Sequence, residues 1–258
     1  AGASTLDIHL EYLKATGHME HELPYGNIIA LNEHAAVLHY HECTAQRYAD
    51  KDLHSFLIDG GASVYGYAAD ITRTYAFRDG EFKDLIAAMD AMQLDLIAGI
   101  RPGQLYTDLH LAAHLRIAQI LRDFDLVRLT PEACVETNVS NTFFAHGLGH
   151  FLGLQVHDVG GHQGNPAGER NPPPEQHPFL RLTRKLELGH VFTRTELFLD
   201  QFRAVADRVT ELRRIFVRLR HPELIRAFEL LDETMYIVME DECGKLYRSY
   251  GRLAASRG

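Results

Sequence analysis

Cysteine is scarce in this chain of 258 residues: Cys43, Cys134 and Cys243 are the only three. Their number is odd and they form no C-x-x-C pair, which speaks against a disulfide scaffold and predicts a reducing, cytoplasmic compartment. Long apolar runs are also missing. No stretch reaches the roughly 18 consecutive apolar residues of a membrane span, so no membrane partner is expected. The opening stretch AGASTLDIHLEYLKATG has neither a basic head nor an apolar run and does not read as a signal peptide. Positive charge is the minority sign, with 26 Lys and Arg against 35 Asp and Glu and a formal net charge of −9. That balance argues against nucleic acid as the main partner. Part of the acidic excess is available to hold cations.

What remains is the composition of a soluble globular protein, 46% hydrophobic and 24% charged. The length fits one large domain or two small ones and is ample for a real core. Thr5 to Lys14 predicts a short helix with Leu6, Leu10 and Leu13 on one face. Tyr25 to Tyr40, rich in Ile, Val, Ala and Leu and broken at Asn32-Glu33, predicts a hairpin. Ser55 to Asp59 reads as a strand ended by Gly60-Gly61, and Asp70 to Phe77 alternates as a second strand. Asp59 and Asp70 then stand on neighbouring strands or their ends. Adjacent strands lie about 5 Å apart, so both carboxylates can reach one cation.

Phe82, Leu85, Ile86, Met89, Leu96, Ile97 and Ile100 keep helical spacing until Pro102-Gly103. Thr107 is placed to cap a second helix that presents Leu111, His114, Leu115, Ala118 and Leu121 on one face. Asn138 to Gly168 is rich in glycine and histidine without helical periodicity, and Asn171 to Pro174 is a stiff loop. Val191 to Leu199 reads as a strand, Phe202 to Leu219 as an amphipathic helix, and Met235 to Met239 as a further strand.

The chemistry lies in Asp59, Asp70 and the histidines His146, His150 and His157, taken in this order along the chain. Carboxylate oxygens joined by an imidazole nitrogen suit Mn(II), Zn(II), Co(II) or Fe(II) better than Ca(II). A hydroxide held between two such cations is a nucleophile at neutral pH, and the cations polarise a carbonyl. Histidines that do not ligate can move protons or hold a tetrahedral intermediate. Gly147 and Gly149 disfavour a helix across His146-Gly147-Leu148-Gly149-His150, so this is not a helical pair of metal-binding histidines.

These strings resemble the pita-bread metallopeptidases, and within them the Xaa-Pro dipeptidase (prolidase) and organophosphorus acid anhydrolase group. The resemblance runs from about Glu11 to Thr193. It includes Leu23-Pro24-Tyr25-Gly26-Asn27-Ile28, Ala36-Val37-Leu38-His39-Tyr40 and Gly66 to Thr74. It continues through Phe144 to His150, Gly153 to Asp158 and His177 to Arg181. The resemblance implies an α/β (α+β) pita-bread fold, a curved antiparallel sheet flanked by helices in two related halves. Residues 1–258 would form one catalytic domain without the family's N-terminal domain.

It implies two divalent cations, Mn2+ foremost with Zn2+ or Co2+ as alternatives. Asp59 would chelate one cation, Asp70 would bridge both and His150 would bind the second. His39 and His157 would line the cleft and stabilise the intermediate, while His146 supports the metal shell. Tyr25 and Val156 match positions that shape the substrate pocket, and Arg181 a position that holds a dipeptide's carboxylate. The implied activity is hydrolysis of Xaa-Pro dipeptides through a metal-bridging hydroxide, with a side activity on organophosphorus triesters and fluorophosphonates. A homodimer is compatible with it.

Two glutamates complete the family's ligand set, and here the pattern changes. Glu240 fits the second bridging position in Val238-Met239-Glu240-Asp241, but Val238 replaces the family's arginine. In Thr193-Arg194-Thr195-Glu196, direct counting puts Thr195 in the ligand slot and Glu196 one place late, and the Pro-Gly that follows in the family is absent. A one-residue slip turns a strand side chain to the opposite face, whereas a β-bulge would return Glu196 to the site. These departures motivate an alternative from another class, a metal-poor, non-catalytic module that binds a peptide or protein partner.

Overall fold

The computed structural model describes residues 2–193 in full and the backbone of residues 237–240 and 246–249. The chain divides into two compact units, one comprising residues 1–113 and 146–200, the other 114–145 and 201–258. Helices and antiparallel sheets are mixed throughout the described residues, as the pita-bread reading requires. None of their helices is long and apolar enough to cross a membrane.

The first unit opens with helix α1 (Thr5–Thr16). Ser4 caps it by accepting the Asp7 amide at 3.1 Å, while the Ser4 amide donates to the Asp7 carboxylate at 2.9 Å. Gly17 ends it in the left-handed region at φ 70°. The buried face differs from the leucine stripe expected of the sequence. Thr5 and His9 are buried and Leu10 is exposed, because His9 turns inward to bond Glu20 at 2.5 Å and Asn27 at 3.3 Å.

Strand β1 (Ile28–Leu31) is buried along its whole length. It does not form the expected hairpin with residues up to Tyr40. Asn32 adopts a left-handed φ of 55° and starts a 3-10 turn over Asn32–Ala36, and β1 pairs instead with β2 (Ser55–Gly60). The Asn32 side chain closes this arrangement by accepting the His54 amide at 2.7 Å. Between β2 and its other neighbour lies a small hairpin that the sequence reading did not resolve, β3 (Ser63–Val64) and β4 (Tyr67–Ala68). Its turn residues Tyr65 and Gly66 both have positive φ, 53° and 84°, as a tight two-residue hairpin turn demands. Strand β5 (Ile71–Ala76) completes an antiparallel sheet in the order β1-β2-β5, with Asp59 opposite Ile28 on one side and Thr72 on the other.

Helix α2 (Glu81–Ala98) packs near β5 and buries Leu85, Met89, Met92 and Leu96, one face at helical spacing. Helix α3 (Tyr106–Asp123) begins one residue before Thr107, so Thr107 is inside the helix and not its cap. Its buried positions are Tyr106, Leu109, His110, Ala113, His114, Ile117, Ala118 and Leu121, whereas Leu111 and Leu115 are exposed. The apolar stripe read from the sequence therefore missed the histidine and tyrosine on the inner face.

In the second unit, helix α4 (Pro131–Glu136) is capped by Thr130 and carries the buried Cys134. Helix α5 (Val139–Phe143) is a short helix inside the region read as non-helical. Its Ser140 hydroxyl lies 2.9 Å from His114 Nδ1 and satisfies that buried ring. Strands β6 (Ile237–Glu240) and β7 (Leu246–Ser249) form an antiparallel pair, which agrees with a strand expected near Met235 to Met239. The helix expected over residues 202–219 lies outside the described residues.

Candidate metal centre

Three ligand candidates converge in the first unit. Asp59 stands at the end of β2 and Asp70 immediately before β5, so the antiparallel pairing of these strands brings both to the same end of the sheet. Gly61 makes the close turn possible. A Cβ there would lie 2.1 Å from the Ala69 carbonyl oxygen and 2.8 Å from the rings of Pro24 and Tyr25. His150 arrives from the loop after Gly149, held where its carbonyl accepts the Thr193 amide at 2.8 Å and its own amide donates to the Thr193 hydroxyl at 3.3 Å. Phe151 and Phe192 continue this short antiparallel contact.

His150 Nε2 lies 3.1 Å from Asp70 Oδ2. Its other nitrogen, Nδ1, donates to the Phe151 carbonyl at 2.9 Å. That bond assigns the hydrogen of a neutral ring to Nδ1 and turns the Nε2 lone pair toward a carboxylate. Two lone pairs at that distance repel unless a proton or a cation lies between them. Ligands bonded to one divalent cation at about 2.1 Å stand roughly 3 Å apart, so the spacing suits a shared cation.

The Tyr25 hydroxyl faces both carboxylates, donating at 2.6 Å to Asp59 Oδ1 or at 3.0 Å to Asp70 Oδ1. It carries one hydrogen and serves one acceptor at a time. Sequence reading assigned Tyr25 to the pocket wall and missed this contact with the two carboxylates. Burial, followed by the two aspartates, holds the phenol well above its ordinary range, so it stays protonated and remains a donor.

The two aspartates are electrostatically unequal. Burial pushes Asp59 up to about 6, and the nearby Asp70 charge adds to it against hydrogen bonds from Tyr25 and Thr72. Burial also acts on Asp70, but the close contact with His150 and the hydrogen bond from Tyr25 outweigh it and hold Asp70 below the usual carboxylate range. Asp70 is thus the ready anion of the pair. Asp59 gains most from a cation that replaces its proton.

Around these ligand candidates lies a wall of imidazoles. His157 meets His150 edge to face at 4.3 Å, and His39 lies nearly parallel to His146 at 5.7 Å. Burial, then His39 and Arg181, push His146 down to about 4. Packing that desolvates the His157 ring, with His150 and Arg181 nearby, pushes it likewise to about 4. Both rings are therefore neutral at pH 7, able to donate or accept a hydrogen bond without carrying charge. Arg181 is exposed and acts on both histidines, so its guanidinium belongs to the same wall. Val156 is half-buried in the loop that carries His157.

Of the residues proposed from sequence, Asp59, Asp70 and His150 are brought together, with Tyr25, His39, His146, His157 and Arg181 around them. Glu196 lies outside the described residues. Glu240 closes β6, where only the backbone is described. Thr193 and Thr72, which hold His150 and Asp59, were not singled out by sequence reading. Only their places opposite those residues in the pairing reveal them.

Residues 1–199 match the model of metallopeptidase family M24. The chain is similar to Xaa-Pro dipeptidase of Aeromonas hydrophila, 53% identical over 193 residues, which covers 75% of this chain and 44% of that protein. It is similar also to Xaa-Pro dipeptidase of Pseudoalteromonas translucida, 54% identical over 193 residues, covering 74% and 43%. The chain thus spans less than half the length of these curated relatives. Among solved structures, Pseudomonas aeruginosa aminopeptidase PepP superposes with a TM-score of 0.56 at 28% identity, over 75% of this chain and 40% of that one. A variant of Escherichia coli aminopeptidase P superposes with a TM-score of 0.55 at 20% identity, over 80% and 53%, a likeness of fold.

Proposed function

Because the chain belongs to metallopeptidase family M24, we propose that it is the catalytic part of an Xaa-Pro dipeptidase-like hydrolase acting on small dipeptides. The observation that carries this reading is the meeting of His150 Nε2 with Asp70 Oδ2 at 3.1 Å, beside an Asp59 that shares the Tyr25 hydroxyl with Asp70. The Xaa-Pro dipeptidase names of the bacterial relatives support the substrate class.

Asp59, Asp70 and His150, completed by Glu196 and Glu240, would hold two divalent cations, Mn2+ foremost and Zn2+ or Co2+ in its place. When bound, such ions activate water and polarise a carbonyl. Hydrolysis adds water to the carbonyl carbon of the Xaa residue, breaks its bond to the proline nitrogen and delivers a proton to that nitrogen. His39 and His157 line the cleft and donate hydrogen bonds to the developing oxyanion, which a neutral imidazole can do. His146 supports the metal shell and stacks on His39. Tyr25 and Val156 bound the pocket, and the Arg181 fork receives the terminal carboxylate of the dipeptide. Phosphotriesters and fluorophosphonates pass through a similar oxyanion, so activity on them is a secondary property.

This reading treats residues 1–258 as one catalytic domain, cytoplasmic on the strength of its cysteine usage and compatible with a homodimer. Val238 in place of the family arginine, and Glu196 one place beyond the ligand slot, favour a second reading, a metal-poor module that binds a peptide or protein partner. Metal content after Mn2+ loading, measured by plasma mass spectrometry with Asp70→Asn as control, separates the two. About two ions per chain, fewer in the variant, with hydrolysis of Gly-Pro or Leu-Pro, are expected of the enzyme. One ion or none, without hydrolysis, would move the assignment to the module.

A further inference from the structure

Residues 38–41 alternate in environment. Leu38 and Tyr40 pack against the buried cluster of Ile28, Ala30, Ala35 and Leu57, and Tyr40 also stacks on His34 at 4.4 Å. His39 and His41, the intervening positions, are exposed. Their rings lie nearly parallel, 9° apart in plane, with centroids separated by 6.4 Å. Leu38 and His39 lie in a turn and Tyr40 and His41 in irregular chain, and along this segment partly buried and exposed positions alternate, so the two exposed rings stand side by side. His39 also stacks on His146 at 5.7 Å and 21°. His39 is thus a member of a three-ring file formed with His41 and His146.

We propose that His41 is a positioning residue for His39, fixing the plane in which His39 meets the substrate. The proposal rests on the reading of this site as a hydrolase in which His39 stabilises the oxyanion. The segment that carries His39 lies outside helices and strands, and exposure leaves an imidazole several rotamers. A second parallel ring restricts that choice. Fixing the plane of a hydrogen-bond donor before the substrate arrives is what electrostatic stabilisation of a transition state requires. His41 does not serve as a metal ligand paired with His39, because parallel rings at this spacing send their lone pairs side by side and not to one point. The property needed at residue 41 is therefore a flat ring, not a proton or a ligand nitrogen.

The test compares wild type, His41→Ala and His41→Phe on the full chain loaded with diamagnetic Zn2+. Histidine ring signals are observed in selectively 13C-labelled protein, and dipeptide hydrolysis is measured in parallel. His41→Ala is expected to move the His39 ring signal and to lower kcat/KM about three- to tenfold, mostly through kcat, as loss of one ring contact implies. His41→Phe is expected to restore both. If both variants behave as wild type, or if His41→Phe is as impaired as His41→Ala, the positioning role is overturned. Should the wild type hydrolyse no Xaa-Pro dipeptide, the hydrolase reading fails. In that case the ring signals still decide whether His41 fixes His39: no displacement in His41→Ala refutes the contact.

Discussion

His150 and Asp70, distant in sequence, meet at 3.1 Å with the remaining ring nitrogen of His150 committed to the Phe151 carbonyl. This is the arrangement in which an outer hydrogen bond fixes the tautomer and frees the inner nitrogen for a metal. Beside it, Asp59 is held up at about 6 by burial. Below that pH Asp59 keeps its proton in the metal-free protein, and the proton must leave when a cation binds. Metal affinity should therefore be steady above about pH 7 and fall as pH drops through 6, by about tenfold per unit from Asp59 alone once it is protonated. Calorimetric Mn2+ titrations at pH 5, 6, 7 and 8, in buffers of different ionisation enthalpy, would show proton release appearing on the acid side. Affinity independent of pH over this range would refute Asp59 as a ligand.

Tyr25 donates to Asp59 and Asp70 from one hydroxyl. In the proposed site such a contact would orient the two carboxylates without binding the ion itself. Tyr25→Phe keeps the ring that packs beside Gly61 and removes only the donor. Partners of this kind commonly contribute 10- to 100-fold in metal affinity, so a loss of about that size is expected, with the thermal midpoint nearly unchanged. Binding equal to wild type would mean that the hydroxyl serves the substrate pocket alone.

Helix α1 supplies His9 and Tyr12, which pack toward Asn27 and Gly60 beside the candidate metal centre. Its start depends on the reciprocal bonds between Ser4 and Asp7. Ser4→Ala removes one partner and leaves the Asp7 amide without its cap. Denaturant unfolding should report a loss of about 1 kcal/mol, with the slope unchanged.

Much of the scaffold was legible because periodicity survives where one face is buried. The strand from Ser55 and helix α2 follow their apolar spacing, whereas the strand before Phe77 was legible from its alternation alone, since its apolar residues Ile71, Tyr75 and Phe77 are exposed and Thr72 is the buried position. Residues 32–36 misled because Asn32 leaves the strand through a left-handed turn, and the apolar residues beyond it pack as a 3-10 turn and an irregular segment. The inner face of α3 was only partly placed: the stripe included His114, Ala118 and Leu121, but it ran through the exposed Leu111 and Leu115 and passed by the buried Tyr106 and His110. The order of Asp59, Asp70 and His150 signalled the site, since those side chains are chemically distinctive. What holds them was hidden. Thr193 and Tyr25 act through contacts between residues far apart in sequence, which spacing along the chain does not encode.

Gly149 is the point where space, not backbone conformation, decides the site. A Cβ there would lie 2.0 Å from the Thr193 carbonyl oxygen and 2.6 Å from the Tyr106 hydroxyl, and the Tyr106 hydroxyl itself donates to that carbonyl at 3.3 Å. Tyr106 is buried and anchored in α3, so neither neighbour can retreat cheaply. Gly149→Ala must push the 150–152 segment away from residues 191–193, and the next residue displaced is His150. The expected cost is about 1–3 kcal/mol from overpacking, accompanied by loss of metal affinity. Gly17→Ala provides the contrast. It meets nothing within 4 Å, and its cost arises from the φ of 70°, about 1–2 kcal/mol of left-handed strain at the end of α1. The two variants should therefore lose similar stability in chemical denaturation, yet only Gly149→Ala should weaken Mn2+ binding. Equal metal affinity in both would mean that the close approach of Thr193 to Gly149 does not position His150.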